Sequence, residues 1–249
     1  MVILALDTSG ATASAALMDE YIILAESSVT LKDLRGGGRK THSETLMPMV
    51  DRVFKTTGMA LEDVDYIACT CGPGSFTGLR IGVAAAKGLA FATGKPLVAV
   101  PTLDALAYNV TGITAPCTWV VPMLDARRGQ VYSALYCMGH RQTDYVAVSV
   151  QDLLEMVKGS QPPQKSCRTI FLGDGASAYG KCIGKEEWGD HTIIDFAPPS
   201  HNLVRVACVG AQALKMLKCG QSFEEGEFSL LYIRRPQAQR EREKKGEFL

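Results

Sequence analysis

Leu4-Ala5-Leu6-Asp7-Thr8-Ser9-Gly10 is an aliphatic run that stops at a carboxylate and a hydroxyl-bearing turn. Short apolar runs bounded by turn residues predict strands. Residues 2–7 give the first, the small residues 12–18 the second after Ser9-Gly10, and 21–29 the third after Met18-Asp19-Glu20. Two successive hairpins predict an antiparallel start. The unit then recurs. Leu124-Asp125-Ala126-Arg127-Arg128-Gly129 closes another apolar run, and Ala134-Leu135 stands as far beyond Asp125 as Ala16-Leu17 stands beyond Asp7. Each half has strands first and helices after, which predicts a duplicated α/β unit.

Outward from the first unit, Leu46, Met49, Val50, Val53 and Phe54 recur at helical spacing. Thr41 or Ser43 is placed to cap that helix over 42–57 and Gly58 to end it. A strand over 66–71 leads into Gly72-Pro73-Gly74-Ser75-Phe76-Thr77-Gly78, then a helix over 79–93 rich in Gly and Ala, a strand at 97–100 and a short helix at 103–108. The second half reads as strands at 118–124, 131–138 and 145–150, a helix at 151–158, a Pro-Pro loop at 161–166, a strand at 170–173, a helix at 176–183, a strand at 192–196, a helix over 202–218 and an ordered piece at 228–234. Lobe boundaries are expected at 1–108 and 109–200. The Gly-rich loop 32–40 is expected to be mobile, and the charged tail 237–249 to be disordered.

Composition narrows the function class. The chain has 249 residues, 47% of them hydrophobic, enough for a core. Its 26 basic and 26 acidic side chains lack the charge of a strongly basic nucleic-acid-binding domain. No apolar run reaches the about 18 residues of a membrane helix. The first residues lack the basic lead of a signal peptide, so a cytoplasmic protein is expected. Eight cysteines and four histidines show no Cys-x-x-Cys and no ligand spacing, so buried, reduced thiols and no metal are expected.

Two readings attach to the strand-end aspartates. Asp7-Thr8-Ser9 and Asp125, with Gly173 and Gly175 in Gly173-Asp174-Gly175-Ala176, have the residue types of a nucleotide cleft, with ATP or ADP as its ligand. The plainer reading is a set of ordinary turns. Arg127 and Arg128 also crowd the second turn, where a phosphate needs glycine. Gly72–Gly82 resembles a phosphate loop but lacks its Gly-Lys-Ser/Thr end, and neither Gly-x-Ser-x-Gly nor His-Glu-x-x-His occurs. Gly82, Ala85 and Ala86 leave the 79–93 helix a small-residue face, suited either to internal packing or to another subunit.

Gly72-Pro73-Gly74-Ser75-Phe76-Thr77-Gly78-Leu79-Arg80-Ile81-Gly82 resembles the signature of the TsaB/YeaZ proteins. So do Leu4-Ala5-Leu6-Asp7-Thr8-Ser9, Thr41-His42-Ser43-Glu44, Val100-Pro101-Thr102-Leu103-Asp104-Ala105-Leu106, the Leu124–Tyr132 stretch and Leu231-Tyr232-Ile233-Arg234. The resemblance implies an α/β fold of two ribonuclease-H-like lobes in the actin-like ATPase (ASKHA) superfamily, with mixed sheets flanked by helices. It implies that residues 201–236 carry a helix back to the first lobe. It also implies a non-catalytic scaffold for N6-threonylcarbamoyladenosine (t6A) modification of tRNA position 37. That scaffold would bind and activate the related enzyme TsaD together with TsaE, pair with itself when alone, and meet tRNA only indirectly. TsaD carries a metal-binding His-x-x-x-His; Thr102 and Leu106 stand at the similar place here. The expected contact surface is Gly74, Phe76, Gly78, Arg80, Gly82, Ala85 and Ala86 with Leu46, Met49 and Val53. Ala86→Trp is then expected to give a folded monomer. The alternatives are an ATP-binding or ATP-hydrolysing module and a metallopeptidase-like enzyme.

Overall fold

The computed structural model describes residues 1–31, 41–115, 117–161, 167–189, 192–221 and 228–233. The Gly-rich loop 32–40, the segment 162–166 holding the Pro-Pro pair and the tail 237–249 lie outside the described residues, as does Arg234.

The first half forms β1 (Ile3–Asp7), β2 (Thr12–Met18), β3 (Ile23–Thr30), α1 (His42–Thr57), β4 (Tyr66–Gly72), α2 (Phe76–Thr93), β5 (Leu97–Pro101) and α3 (Thr102–Thr111). The second forms β6 (Thr118–Arg127), β7 (Gln130–Ser133), β8 (Tyr136–Cys137), β9 (His140–Arg141), β10 (Val146–Ser149), α4 (Val150–Ser160), β11 (Cys167–Leu172), α5 (Asp174–Ile183), β12 (Thr192–Phe196) and α6 (Val206–Lys218). The first sheet runs β3-β2-β1-β4-β5 and the main path of the second β10-β7-β6-β11-β12. In each, the first three strands in sequence pair antiparallel and the last two join parallel. Short turns suffice for the antiparallel pairs, whereas each parallel pair needs a crossover, supplied by α1, α2, α4 and α5. The duplication expected from the two Leu-Asp units is therefore present as topology. The fold is mixed α/β with two ribonuclease-H-like sheets.

Strand alternation sets the layers. Leu4 and Leu6 of β1 join Leu46, Val50 and Val53 of α1 and Val83 and Ala86 of α2. Ile3 and Ala5 face the other way, into a core shared with Leu106 of α3, Val206, Val209 and Ala213 of α6, and Val120 and Leu172 of the second sheet. Val121, Met123 and Phe171 turn outward to Leu153, Leu154 and Val157 of α4 and Ala176 of α5. Helices thus cover both outer faces, and α3 with α6 lies between the sheets. α6 sits against β1 and β2. Its approach is so close that a Cβ on Gly210 would lie 2.2 Å from the Met18 sulfur.

Several expected boundaries move, among them three with a visible cause. α2 begins at Phe76 because Ser75 caps it, its hydroxyl accepting from the Gly78 N–H at 3.2 Å. The expected helix over 202–218 begins only at Val206, since the Asn109 side-chain amide holds the carbonyls of His201 and Leu203 at 2.9 and 2.8 Å. The expected strand 131–138 is split into β7 and β8: the Leu135 N–H leaves the ladder for the Thr143 hydroxyl at 3.0 Å. β8 then turns through Met138 and Gly139, both at positive φ, into β9.

Candidate functional site

Asp7 ends β1 with its side chain fully buried. One carboxylate oxygen accepts from the Ser9 N–H (3.0 Å), the Ser9 hydroxyl (2.6 Å) and the Thr70 hydroxyl on β4 (2.8 Å). Among the described residues the other oxygen has no hydrogen-bond partner, and neither does the hydroxyl of Ser14, the residue across the ladder. Burial pushes the Asp7 pKa above the usual carboxylate value, against the lowering effect of the Ser9 and Thr70 bonds and of nearby His42.

The turn after Asp7 is covered by the glycine-rich stretch. Thr8 donates its hydroxyl to the Gly78 carbonyl at 2.8 Å, and the Ser75 N–H donates to the Ser9 carbonyl at 2.7 Å. A Cβ would come within 2.3 Å of Ser9 O at Gly74, 2.1 Å of Thr8 O at Gly78, and 2.3 Å of the Thr8 hydroxyl at Gly82. These three glycines let α2 and its leading loop close on the backbone that an anion would need. Asp7, Thr8 and Ser9 are all buried as a result.

The second lobe differs. β6 runs two residues past Asp125, to Arg127, so this aspartate does not end its strand as Asp7 does. Asp125 is exposed; it accepts from the Arg127 N–H at 2.8 Å and the Tyr179 hydroxyl at 3.2 Å, and its own N–H donates to Asp174 at 2.9 Å. Arg127, Arg128 and Gly129 all hold positive φ in a tight turn, a strained setting for the two arginines. Gly173 (φ +106°) and Gly175 bring α5 onto the Met123 backbone, where a Cβ would meet carbonyl atoms at 2.1 and 3.0 Å. Beside them, Phe171, Ala176, Ser177, Gly180, Phe196 and Asn202 line an apolar cavity of about 270 Å³.

Thr102 and Leu106 share one face of α3 and are fully buried, and Leu106 packs in the inter-lobe core. Among the described residues no cluster of three or more His, Cys, Asp or Glu side chains is arranged to hold a metal ion, and no helix is long and apolar enough to cross a membrane. The thiols do not all match the expectation of burial. Cys69, Cys71 and Cys167 are buried, but Cys117, Cys182 and Cys219 are exposed.

The residues of the expected contact surface divide between the inside and the outside of the first lobe. Leu46, Met49 and Val53 of α1 and Gly78, Gly82 and Ala86 of α2 are buried inside this chain, and Ala85 packs partly against the same core. Helical spacing turns these residues toward the first sheet, whereas Phe76 and Arg80 of the same expected surface are exposed. The outward stripe of α2 is Phe76, Thr77, Arg80, Ala84, Lys87, Gly88 and Phe91. Phe76 is 42% exposed and Phe91 85%. At its N-terminal end the Arg80 guanidinium lies 3.8 Å over the Phe76 ring, whose centroid is 5.8 Å from that of Tyr232. The sequence does not single out Phe91, since only the fold tells outward from inward on a helix apolar on several sides, and it offers Tyr232 only as part of the Leu231–Arg234 motif.

A family model described as TsaD, tRNA N6-adenosine threonylcarbamoyltransferase, matches residues 29–239. The tRNA threonylcarbamoyladenosine biosynthesis protein TsaB of Bacillus subtilis (strain 168) is 37% identical over 187 residues, 74% of this chain and 75% of that one. The protein of the same name from Escherichia coli (strain K12) is 35% identical over 211 residues, 84% and 86% of the two chains. The chain belongs to the TsaB family. The structure of YeaZ from Pseudomonas aeruginosa superposes with a TM-score of 0.72 at 25% identity, over 93% of this chain and 99% of that one. In this TsaB-family chain, then, the glycine-rich signature seals the first aspartate turn and leaves an aromatic-ended helix face open to solvent.

Proposed function

We propose that the chain serves tRNA threonylcarbamoyladenosine biosynthesis as a non-catalytic subunit that binds TsaD, with TsaE as a further partner. It works in the cytoplasm, meets tRNA only through that assembly, and pairs with itself when TsaD is absent. Membership of the TsaB family supports the pathway. The observation that carries the binding role is the outward stripe of α2. Its small residues Ala84 and Gly88 lie between Phe76 and Phe91, an arrangement that lets a second helix approach closely with an aromatic anchor at each end. The non-catalytic reading is supported by the buried apolar environment of Thr102 and Leu106 and by the covered Asp7 turn.

Ala84→Trp tests it. Ala84 is exposed, so the variant should keep its circular dichroism and melting temperature, sediment as a monomer, and no longer capture TsaD in a pull-down. A folded variant that still captures TsaD at full strength overturns the assignment of this face. ATP turnover with a divalent metal, abolished by Asp7→Asn, would overturn the non-catalytic reading.

A second reading has its own observation. The cavity between Phe171 and Phe196 adjoins the Gly173-Asp174-Gly175 turn and offers Ser177 and Asn202 as polar groups. It suits a flat base such as the adenine of ATP or ADP, bound without hydrolysis. Calorimetry with ATP on the wild type and Ala176→Phe decides: heat lost in the variant supports the site, and no heat with wild type at millimolar ATP removes it.

A further inference from the structure

Three of the eight cysteines, far apart in sequence, are brought to one end of the second sheet. β11 pairs with β6 in parallel with Arg168 opposite Thr118, so Cys167 stands beside Cys117, one residue earlier on each chain. β8 pairs with β6 from the other side with Cys137 opposite Trp119, two residues from Cys117. Side chains two apart on a strand share a face. Trp119 on β6 packs with Val121, Met123 and Phe171 against α4 and α5, and Cys137 and Cys167 occupy the matching positions on their own strands. Cys117, in the turn that enters β6, therefore stands next to Cys167 along one ladder and diagonally from Cys137 along the other.

Accessibility divides their roles. Cys117 is exposed, Cys137 half-buried and Cys167 buried. Cys117 also holds φ +65° at the entry to β6, a backbone state that L-residues rarely adopt. Cys137 is near enough to both for their charges to raise its pKa, after the larger effect of burial. None of the three belongs to the Asp7 turn, the outward stripe of α2 or the α5 cavity.

We propose that Cys117 and its flanking cysteines form an oxidisable thiol site, in which a peroxide converts Cys117 and one neighbour into an intramolecular disulfide. The exposed Cys117 thiolate attacks the peroxide oxygen and becomes a sulfenic acid, releasing an alcohol or water. The neighbouring thiol then attacks the Cys117 sulfur, its proton leaves with the hydroxyl as water, and the S–S bond forms. In sum, two thiols and one peroxide give one disulfide, one water and one alcohol or second water. Cys117 and Cys167 continue the β6–β11 register, where neighbouring-strand Cα atoms lie about 5 Å apart, inside the range that a disulfide spans. Cys137 is two residues off register, a longer diagonal reach of about 7–8 Å, so Cys167 is the nearer partner.

The site has a structural output. β8 and β9 form the hairpin that touches the first lobe: Tyr136 donates to Asp104 of α3, and Lys215 of α6 donates to the Gly139 carbonyl at 2.9 Å. A bond from Cys117 to Cys137 fastens the base of that hairpin to β6; a bond to Cys167 fastens β6 to β11 instead.

The experiment treats the full chain with a small excess of hydrogen peroxide, blocks free thiols and maps non-reduced tryptic peptides. Trypsin cleaves after Arg127 and Arg141, and after Lys165 and Arg168, so each of the three cysteines falls in a separate peptide. The expected result is a linked peptide joining Cys117 to Cys137 or to Cys167 in protein that runs as a single chain on a non-reducing denaturing gel, reversed by dithiothreitol and missing in Cys117→Ser. Cys182→Ser and Cys219→Ser should leave it intact. Recovery of Cys117 as a free thiol, as an irreversible sulfonic acid, or only in bonds between two chains overturns the proposal. Cys117 is exposed and serine is nearly isosteric; a melting curve matching wild type confirms that a lost bond is not a lost fold.

Discussion

The Thr8 hydroxyl donates a hydrogen bond to the Gly78 carbonyl, 70 residues further along the chain, at 2.8 Å. With it, the first aspartate turn is closed by the protein's own helix. The glycines that resemble a ligand loop are consumed in that contact: at Gly78 a Cβ would sit 2.1 Å from the Thr8 backbone oxygen. Backbone on both sides leaves no flexible side chain to yield. Gly78→Ala should therefore cost about 1–3 kcal/mol or more, read as a lower urea midpoint. Gly88→Ala, where a Cβ meets nothing within 4 Å, should match or exceed wild type, as alanine favours helix. Equal midpoints for the two variants would deny the close approach.

Ala86 sits fully buried against the first sheet, four residues from buried Gly82 and Ala90. Ala86→Trp, expected from the sequence to yield a folded monomer, should instead fail to fold or melt well below wild type, because the core has no volume for an indole. Thermal denaturation by circular dichroism checks this. A well-folded Ala86→Trp chain would restore the original expectation.

Asp7 has a pH signature. Its native pKa lies above the ordinary aspartate value because burial disfavours the charge. The carboxyl therefore favours folding most fully below about pH 4, and that contribution is lost as pH rises through the native pKa. At neutral pH the charge weighs against the fold. Asp7→Asn keeps an oxygen for Ser9 and Thr70 and removes the charge, so it should melt higher than wild type at pH 7.5, with the gap closing toward pH 4. A variant less stable than wild type at pH 7.5 would show that the carboxylate is better satisfied than its protein contacts indicate.

Asp104 of α3 accepts the phenol hydroxyls of Tyr136 and, at 2.8 Å, Tyr145, joining the first lobe to the second. Burial, followed by the Asp104 charge, raises the pKa of both phenols. Asp104→Ala leaves two part-buried donors without their acceptor and should cost about 1–3 kcal/mol for each group left unpaired. Tyr145→Phe removes one donor and should cost less. Chemical denaturation of the three proteins gives the order; a milder loss for Asp104→Ala than for Tyr145→Phe would contradict it.

Cys71 is held at a pKa of about 12, mainly by burial, and buried Cys69 is raised as well. Under native conditions at pH 8, iodoacetamide should label Cys182 and Cys219 within minutes and leave Cys69 and Cys71 untouched until denaturant is added. Early labelling of Cys69 or Cys71 would mean that the first sheet opens.

The sequence by itself determined the elements and their repetition. Apolar runs ending at Asp7 and Asp125, a helical period through Leu46, Met49 and Val53, and turn residues between them are local signals. They were enough for the duplicated α/β unit, and the quoted motifs were enough for the family. Tertiary structure alone decided what each motif faces. Thr70 reaches Asp7 from 63 residues away, and Asp104 meets Tyr136 and Tyr145 only because α3 lies between the sheets. Cys117, Cys137 and Cys167 become neighbours only through strand register. α2 is small or apolar on several sides, so its periodicity could not separate Ala86, turned into the core, from Ala84, turned to solvent. Direction on a helix is fixed by what the helix packs against, and that partner, the first sheet, is assembled from strands spread over the first hundred residues.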